Sequence, residues 1–373
     1  MPRHKPARLL AGLTLAAVAQ PALASDLPSL DISGDVRLRL EQDWDSRKAD
    51  ASKRDERTRA RIRVRINAKA DLGDGFSLSG RVRTGTKGSQ QGANVTFADF
   101  DDNPTGPLKI TPDRYSLAWK GKSGGIEAGR MGFPFFTQNE FLWDGDISPL
   151  GLAGNAAIPV SSTTRLKLNA GGFKLPVGLS HYSGALYAGQ AVVESGSATI
   201  AAGLFRFDAD RGDPDRRVLL DGNGSRDYTV HALNAQYHLP AGSKPLVLGA
   251  DFFRNLQSYD NPADTVAFAN RKERTGYVLS AAWGDTKSAG HLQLGYRWFR
   301  MERLAVNASY AHDDLARFGT SAQAALTDLK GHDVYANYAV TDALSLGARA
   351  MFVERLTNIE NGKRARMDLI YKF

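Results

Sequence analysis

The sequence predicts an all-β fold, a transmembrane antiparallel β-barrel of about 16 strands. Three observations lead to it. Residues 57–70 alternate strictly between cationic or polar and apolar side chains. From about residue 32 onward, further segments of period 2 follow, joined alternately by short and by longer connections. No segment after the N-terminus approaches the ~18 consecutive apolar residues of a membrane-spanning helix.

The first observation carries most. Arg57, Arg59, Arg61, Arg63, Arg65, Asn67 and Lys69 fall on one side of the alternation, and Thr58, Ala60, Ile62, Val64, Ile66, Ala68 and Ala70 on the other. Successive side chains of a strand point to opposite faces. On a helix the same charges spread around the circumference and leave no apolar stripe. Such a strand needs water or counter-charge on one face and an apolar medium on the other. Its 14 residues also exceed the usual strand of about 5–6. A soluble sandwich accommodates it with the charges in solvent. An outer-membrane barrel requires it, with cations toward a wet lumen and the apolar face toward lipid.

The bulk features favour the barrel. Arg3, Lys5 and Arg8 precede an apolar run from Leu9 to Ala19, and Ala22, Leu23 and Ala24 form an A-x-A site before Ser25. This is the layout of a bacterial-type secretory signal, expected to occupy residues 1–24 and to be cleaved, leaving 25–373 as one barrel domain. Cysteine is absent, so a secreted product is stabilised by something other than disulfides, and a closed hydrogen-bond ladder serves. The formal charge of +8 falls to +5 without the three signal cations. That excess is interleaved through strands rather than clustered, which argues against nucleic acid as a partner.

In chain order, residues 35–41 come first, with Asp35, Arg37, Arg39 and Glu41 on one face and Val36, Leu38 and Leu40 on the other. A polar loop at 43–56 leads to the arginine strand. Residues 71–75 make a tight turn of the Asp-Gly type into 76–83, which has Ser77, Ser79, Arg81 and Arg83 on its polar side. Tyr115, Leu117 and Trp119 alternate with Arg114, Ser116 and Lys120, and 121–125 turns into 126–131. Leu166 and Leu168 alternate with Arg165, Lys167 and Asn169, and a turn at 171–174 leads to 175–184. The pairs 186–194 and 198–207, 226–239 and 245–256, 273–284 and 290–302, and 331–340 and 344–357 flank short turns, and 363–373 closes the series. Tight turns follow the even strands and longer polar connections the odd ones, the asymmetry of short periplasmic turns and long external loops.

The last segment is the most specific. Ala365, Met367, Leu369, Tyr371 and Phe373 alternate with Arg364, Arg366, Asp368 and Lys372. An amphipathic final strand ending in Phe, with an aromatic two residues before it, resembles the recognition strand of substrates of the barrel-assembly machinery. Leu369, Tyr371 and Phe373 would be its assembly signal. With these features the chain resembles a Gram-negative outer-membrane porin of the general-diffusion, sixteen-stranded type. The resemblance covers residues 25–373 in architecture and rests on pattern rather than on a residue-exact motif. It implies a water-filled passive channel in the cell outer membrane, surrounded by outer-membrane lipid and usually a homotrimer. It also implies a long third external loop folded into the lumen as a constriction.

The third odd-strand connection, about 132–160, is the longest and the most aromatic, with Phe133, Phe135, Phe136, Phe141 and Trp143. A loop in outside water has little reason to carry five aromatics; a loop packed inside a pore does. Glu140, Asp144 and Asp146 then face a pore-lining wall of Arg37, Arg39, Arg59, Arg61, Arg63, Arg65, Arg81 and Arg83. Opposed acidic and basic rows set a transverse field across a constriction and tune ion selectivity. So many adjacent guanidinium groups need a wet lumen or acidic neighbours. The competing reading places Trp143 and the phenylalanines on an outward loop at the membrane rim or a subunit contact. Arg130 departs from the pattern: it falls in phase with Ile126 and Ala128, toward lipid, where a cation at the midplane costs ~2–4 kcal/mol. A bulge near Gly129 or a position near the rim relieves this.

Catalysis finds little support. His181, His231, His238, His291, His312 and His332 are scattered. The neighbours His332 and Asp333, and Asp313 and Asp314, resemble the couples of outer-membrane barrel proteases, but those barrels have fewer strands and adjacency is not geometry. No catalytic residue and no enzyme activity are expected. Asp208, Asp210, Asp213, Asp215 and Asp221 crowd the fifth external loop without the regular Ca²⁺-loop spacing, so no metal and no other cofactor are expected. The expected function is passive passage of small anionic or neutral hydrophilic solutes, with anion preference from the arginine-lined lumen. A substrate-specific barrel for acidic saccharides or organic acids is the alternative, and a soluble periplasmic β-protein the remaining one.

Overall fold

The computed structural model describes residues 29–85, 92–179, 181–212, 225–242, 244–312, 314–319 and 326–373. The segment read as a signal, 1–24, lies outside them. The strands are β1 (Leu30–Arg47), β2 (Arg57–Gly73), β3 (Phe76–Thr84), β4 (Val95–Asp99), β5 (Ile110–Lys120), β6 (Gly124–Arg130), β7 (Leu150–Pro159), β8 (Thr164–Val177) and β9 (His181–Ser195). There follow β10 (Ala198–Asp208), β11 (Tyr228–Ala241), β12 (Lys244–Asn255), β13 (Thr275–Gly284), β14 (Leu292–Met301), β15 (Leu329–Ala339), β16 (Leu344–Arg355) and β17 (Asn361–Lys372). All are antiparallel to their neighbours, and β1 pairs with both β2 and β17, so the sheet closes on itself. β4 pairs with residues 59–62 of β2, beyond the part that β3 covers, and runs in the same direction as β3. The two share one lane, and the seventeen strands make a sixteen-lane barrel. The five-residue helix α1 (Thr265–Ala269) sits in the loop between β12 and β13. No described helix is long and apolar enough to cross a membrane, which here is the work of strands.

The alternation read in β1 and β2 is the alternation of the wall. Arg37 opposes Arg63 and Arg39 opposes Arg61 across the ladder. Between them Leu38 and Leu40 point outward and are exposed, while Glu41 and Asp43 on the inner face are buried. Outward aromatics cluster at two levels. Phe76, Trp119, Trp283, Tyr338, Tyr371 and Phe373 lie toward the turns, and Phe97, Tyr115, Tyr187, Tyr277 and Phe352 toward the loops. Two such girdles bracket the apolar band of a membrane barrel.

Two expectations fail locally and cancel in the strand count. Residues 132–160 are not one connection: the loop is 131–149, and 150–159 form β7, paired with β6 and β8. β7 hides from periodicity because its inner face carries Gly151, Ala153, Asn155 and Ala157, small residues where a polar row was sought. Residues 171–174 are not a turn either, and 175–184 are not a separate strand. β8 runs through 171–174 and ends at Val177, residues 181–184 already belong to β9, and the turn before β8 lies at 160–163. Gly171 stands in the sheet because the ring of Phe173 occupies the space its Cβ would fill. Arg130 ends β6 at the loop rim, and the ladders with β5 and β7 keep their register, so no bulge forms at Gly129. The side chain is 2% exposed and donates to the carbonyls of Ser148 (3.1 Å) and Leu179 (2.6 Å), beneath the Tyr182 ring.

Candidate functional site

The inner face of β1, β2, β3 and β17 carries a continuous ion-pair network. Glu41, fully buried, lies 3.1 Å from Arg366, 3.6 Å from Arg61 and Arg364, 3.9 Å from Arg39, and accepts a hydrogen bond from Arg59. One carboxylate thus serves five guanidinium groups. Asp35 holds Arg63 (2.7 Å) and Arg65 (2.6 Å), Asp113 holds Arg81 (2.5 Å) and Arg83 (3.1 Å), and Asp43 holds Arg364 (2.6 Å). Asp368 holds Arg39 at 2.7 Å. Desolvated cations this close repel unless carboxylates stand between them, and strand pairing delivers those carboxylates in register. Of the eight arginines predicted to line a pore, Arg39, Arg63, Arg81 and Arg83 are buried, at 4%, 8%, 6% and 1% exposure. Arg37, Arg59, Arg61 and Arg65 are half-buried. Arg37 differs from the rest in its partner, donating through Nε to Asn94 Oδ1 at 3.2 Å.

Loop 131–149 packs against the opposite wall. Phe133 stacks on Trp143 (4.6 Å, 7°) and Trp143 on Tyr310 (5.5 Å, 8°); Phe135 meets Phe173 of β8 and Phe205 of β10 edge-on, and Phe141 meets Phe299 of β14. At the loop's tip Gln138 donates to the carbonyl of Ala235 and to Asp251 Oδ1, both at 3.0 Å. The chain therefore crosses from β6 to β11 and β12 along the inside. Its acids divide. Asp146 reaches Arg65 at 3.2 Å, and Glu140 is exposed, accepting from Gly145 N at 3.0 Å. Asp144 is 3% exposed and accepts from Asp146 N at 2.7 Å, and its charge acts on Arg83 of the wall. Trp143, 2% exposed, is packing within the loop. Burial alone would raise the Asp146 carboxyl, but Arg83, Arg63 and Arg65 outweigh it and hold it below the usual carboxylate range.

A second internal loop, 302–328, was not foreseen. Leu304, Val306, Tyr310, Leu315 and Phe318 are buried. Tyr310 O accepts from Asp144 N and Glu140 O from His312 N, each at 2.8 Å, which ties the two loops together. Beyond that tie, Asp314 reaches Arg39 at 2.7 Å, Arg366 at 3.2 Å and Arg61 at 3.8 Å. Burial would raise the Asp314 carboxyl, and Arg366, Arg39 and Arg61 overcome it and hold it well below its ordinary value. Burial pushes His312 well below its ordinary value, and its Nδ1 accepts from Asp314 N at 2.9 Å, as a neutral imidazole does. The criterion applied to 132–160 does not reach it, because 302–328 carries only two aromatics, Tyr310 and Phe318. Arg114 and Arg349 also belong to the inner face and were not singled out, and Asp333, considered only as a partner of His332, joins them there.

The remaining candidates disperse. His332 is exposed on the outer face and bonded to the Tyr296 hydroxyl (2.7 Å), while its neighbour Asp333 faces inward between Arg297 (3.2 Å) and Arg349 (3.3 Å). Consecutive strand residues point to opposite faces, so the two form no couple. Asp313, and Asp213, Asp215 and Asp221 of the fifth loop, lie outside the described residues. Asp208 pairs with Arg206 at 2.7 Å, and Asp210 accepts from Gly212 N at 3.2 Å.

No curated protein matches this chain at a significant level. Among solved structures it is similar to OprB of Pseudomonas putida, at 11% identity over 92% of this chain and 94% of that one, with a TM-score of 0.58. It is also similar to OmpF of Salmonella typhi in a complex with daunomycin (12% identity, 93% and 98% coverage, TM-score 0.54). A loop-deletion mutant of OmpT of Vibrio cholerae aligns at 13% identity over 93% and 100% of the chains, with a TM-score of 0.52. Identities this low show the fold. The family comes from the sequence itself, whose residues 11–369 match the profile described as Gram-negative porin. The closed sixteen-lane barrel agrees with that match, and the chain belongs to the Gram-negative porin family of outer-membrane channels.

Proposed function

We propose that this channel passes small hydrophilic solutes passively and prefers anions. The observation that supports the preference is that five arginines of β1, β2 and β17 share Glu41 and, among the described residues, have only Asp43, Asp314 and Asp368 as further carboxylates within 4.0 Å, so cations outnumber acids there. A lumen lined by excess charge of one sign, between low-dielectric walls, concentrates counter-ions. The two internal loops bring Asp146 and Asp314 into contact with this wall and leave Glu140 exposed, so a passing solute meets the field of these charges while the loops limit its size. The two loops together also favour a narrower variant of this reading, a barrel selective for organic acids or acidic saccharides. Block of the current by one such saccharide identifies that variant.

The assembly we propose is a homotrimer; a related OmpT of Vibrio cholerae is described in a trimer form. Residues 1–24 are proposed as a cleaved export signal, and residues 25–373 as one barrel domain. Leu369, Tyr371 and Phe373, exposed on the outer face at the chain's end, are proposed as the signal read by the barrel-assembly machinery. Swelling of proteoliposomes tests the channel reading. A small organic anion is expected to enter several-fold faster than an amine of equal size at low ionic strength. Equal or faster entry of the amine contradicts the anion preference.

A further inference from the structure

The charge network described above also shows which arginines are free to act on a solute. Most wall arginines are already committed to carboxylates. Among the described residues, Arg37 and Arg114 are inner-face arginines of this wall with no carboxylate within 4.0 Å. Arg37 is held by Asn94 Oδ1, and Arg114 by Ser148 Oγ and the carbonyl of Gly145, both at 3.0 Å. These partners orient a guanidinium through neutral oxygens and leave it without a directly paired carboxylate. Both side chains are half-buried rather than sealed in the wall. Gly132 packs closely on one of them: a Cβ there would stand 2.9 Å from Arg114 Nη1, so a larger residue would displace the guanidinium.

Their placement follows from the register. Arg37 opposes Arg63, whereas Arg114 opposes Arg81, which opposes Asn67, which opposes Ser33. Arg114 is therefore three lanes from Arg37 and four residues nearer the turn end. That is about 14 Å across the wall and about 13 Å along it, too far for one small anion to touch both. Between them lie Arg63, Arg65, Arg81 and Arg83, each engaged by Asp35 or Asp113.

We propose that Arg37 and Arg114 are the specificity-determining residues of the channel, two successive stations for a small carboxylate or inorganic anion, and that the paired arginines between them are structural. Guanidinium groups bind such oxyanions through directed, charge-assisted hydrogen bonds. The proposal rests on the anion-preferring reading and sharpens it to two residues.

The experiment is the zero-current potential of the full chain in a planar bilayer under a KCl gradient, for the wild type and for Arg37→Gln, Arg114→Gln and Arg57→Gln, the last an arginine of β2 that Asp99 holds at 2.6 Å. Each variant removes one positive charge. Arg37→Gln and Arg114→Gln are each expected to lower the chloride-to-potassium permeability ratio by about threefold or more, and Arg57→Gln by less than about 1.5-fold. A potassium-preferring wild type overturns the anion reading itself. An anion-preferring wild type in which all three variants shift the ratio equally overturns this proposal and leaves that reading standing. Gly132→Ala keeps every charge and displaces the Arg114 guanidinium, so it tests the station even where a glutamine variant does not insert. It is expected to lower the ratio about as Arg114→Gln does, and an unchanged ratio removes Arg114 from the assignment.

Discussion

The inner wall carried by β1, β2 and β17 and the inner wall carried by β8 to β14 share one backbone plan and are lined with opposite materials. On the first, arginines and carboxylates interlock, with Glu41 and Arg366 buried at 0% and 2% exposure. On the second, Phe173, Phe205, Phe207, Val230, Phe253 and Phe299 form an apolar surface that would be out of place beside water. What covers each wall explains the difference. Loop 131–149 brings Phe133, Phe135, Phe141 and Trp143 to the apolar wall. The second loop, 302–328, presents Tyr310 to that aromatic cluster and Asp314 to the arginines. The polarity of an inward face in this barrel thus records its covering.

Removing the carboxylate that holds the charged wall together is expected to have the largest effect. Glu41→Gln leaves five guanidinium groups without their shared partner, a loss on the order of 3–5 kcal/mol for a broken buried pair. The folded band on a heated gel is expected to convert at a markedly lower temperature, and an unshifted conversion breaks the idea that Glu41 organises the wall. Next comes the apolar wall. Trp143→Ala removes the ring between Phe133 and Tyr310 at a cost of about 3 kcal/mol or more, and the released loop is expected to raise single-channel conductance and current noise. Conductance indistinguishable from wild type means that the aromatic stack does not hold the loop.

The pH response is smaller and has a definite sign. Asp146 and Asp314 are held below the ordinary range in the folded channel, whereas an unfolded aspartate titrates near ~3.9. Their contribution to stability is therefore complete above the unfolded value and is lost only as pH falls through the lower folded values. In a Glu140→Gln variant, which removes a neighbouring loop acid whose carboxyl is raised above its ordinary value by desolvation within the barrel and by Asp146, conductance and ion selectivity are expected to stay flat from about pH 7 to about pH 4. A change of either between those limits contradicts the pairing of Asp146 and Asp314 with the arginines. The smallest effect belongs to Lys167 and Glu194, an exposed pair at 2.5 Å near the turn end. Lys167→Met is expected to change stability by less than about 1 kcal/mol, as for other exposed ion pairs, and a larger loss in thermal unfolding places that pair within the charged network.

The same contrast governs how much the sequence revealed. In β1, β2 and β17 the two faces meet different media, so period 2 is plain, and both the strands and the arginine row could be read directly. In β7 both faces are small or apolar, the alternation vanishes, and the strand was absorbed into a loop. In β8 the pair Gly171 and Gly172 imitates a turn while serving ring packing. The aromatic content of 132–160 identified one internal loop, whereas 302–328, with only Tyr310 and Phe318, gave no such signal. Which arginines carry carboxylates was not legible, because pairing depends on cross-strand register and on Asp314 arriving from a distant loop.

The central claim is that the interlocked arginine wall leaves the lumen net positive. The zero-current potential of the wild-type channel under a KCl gradient at low ionic strength, where screening is weakest, tests it most directly. The wall described here predicts a potential of the sign set by chloride, shrinking as salt rises; a potential of the sign set by potassium, at every salt concentration, would contradict it.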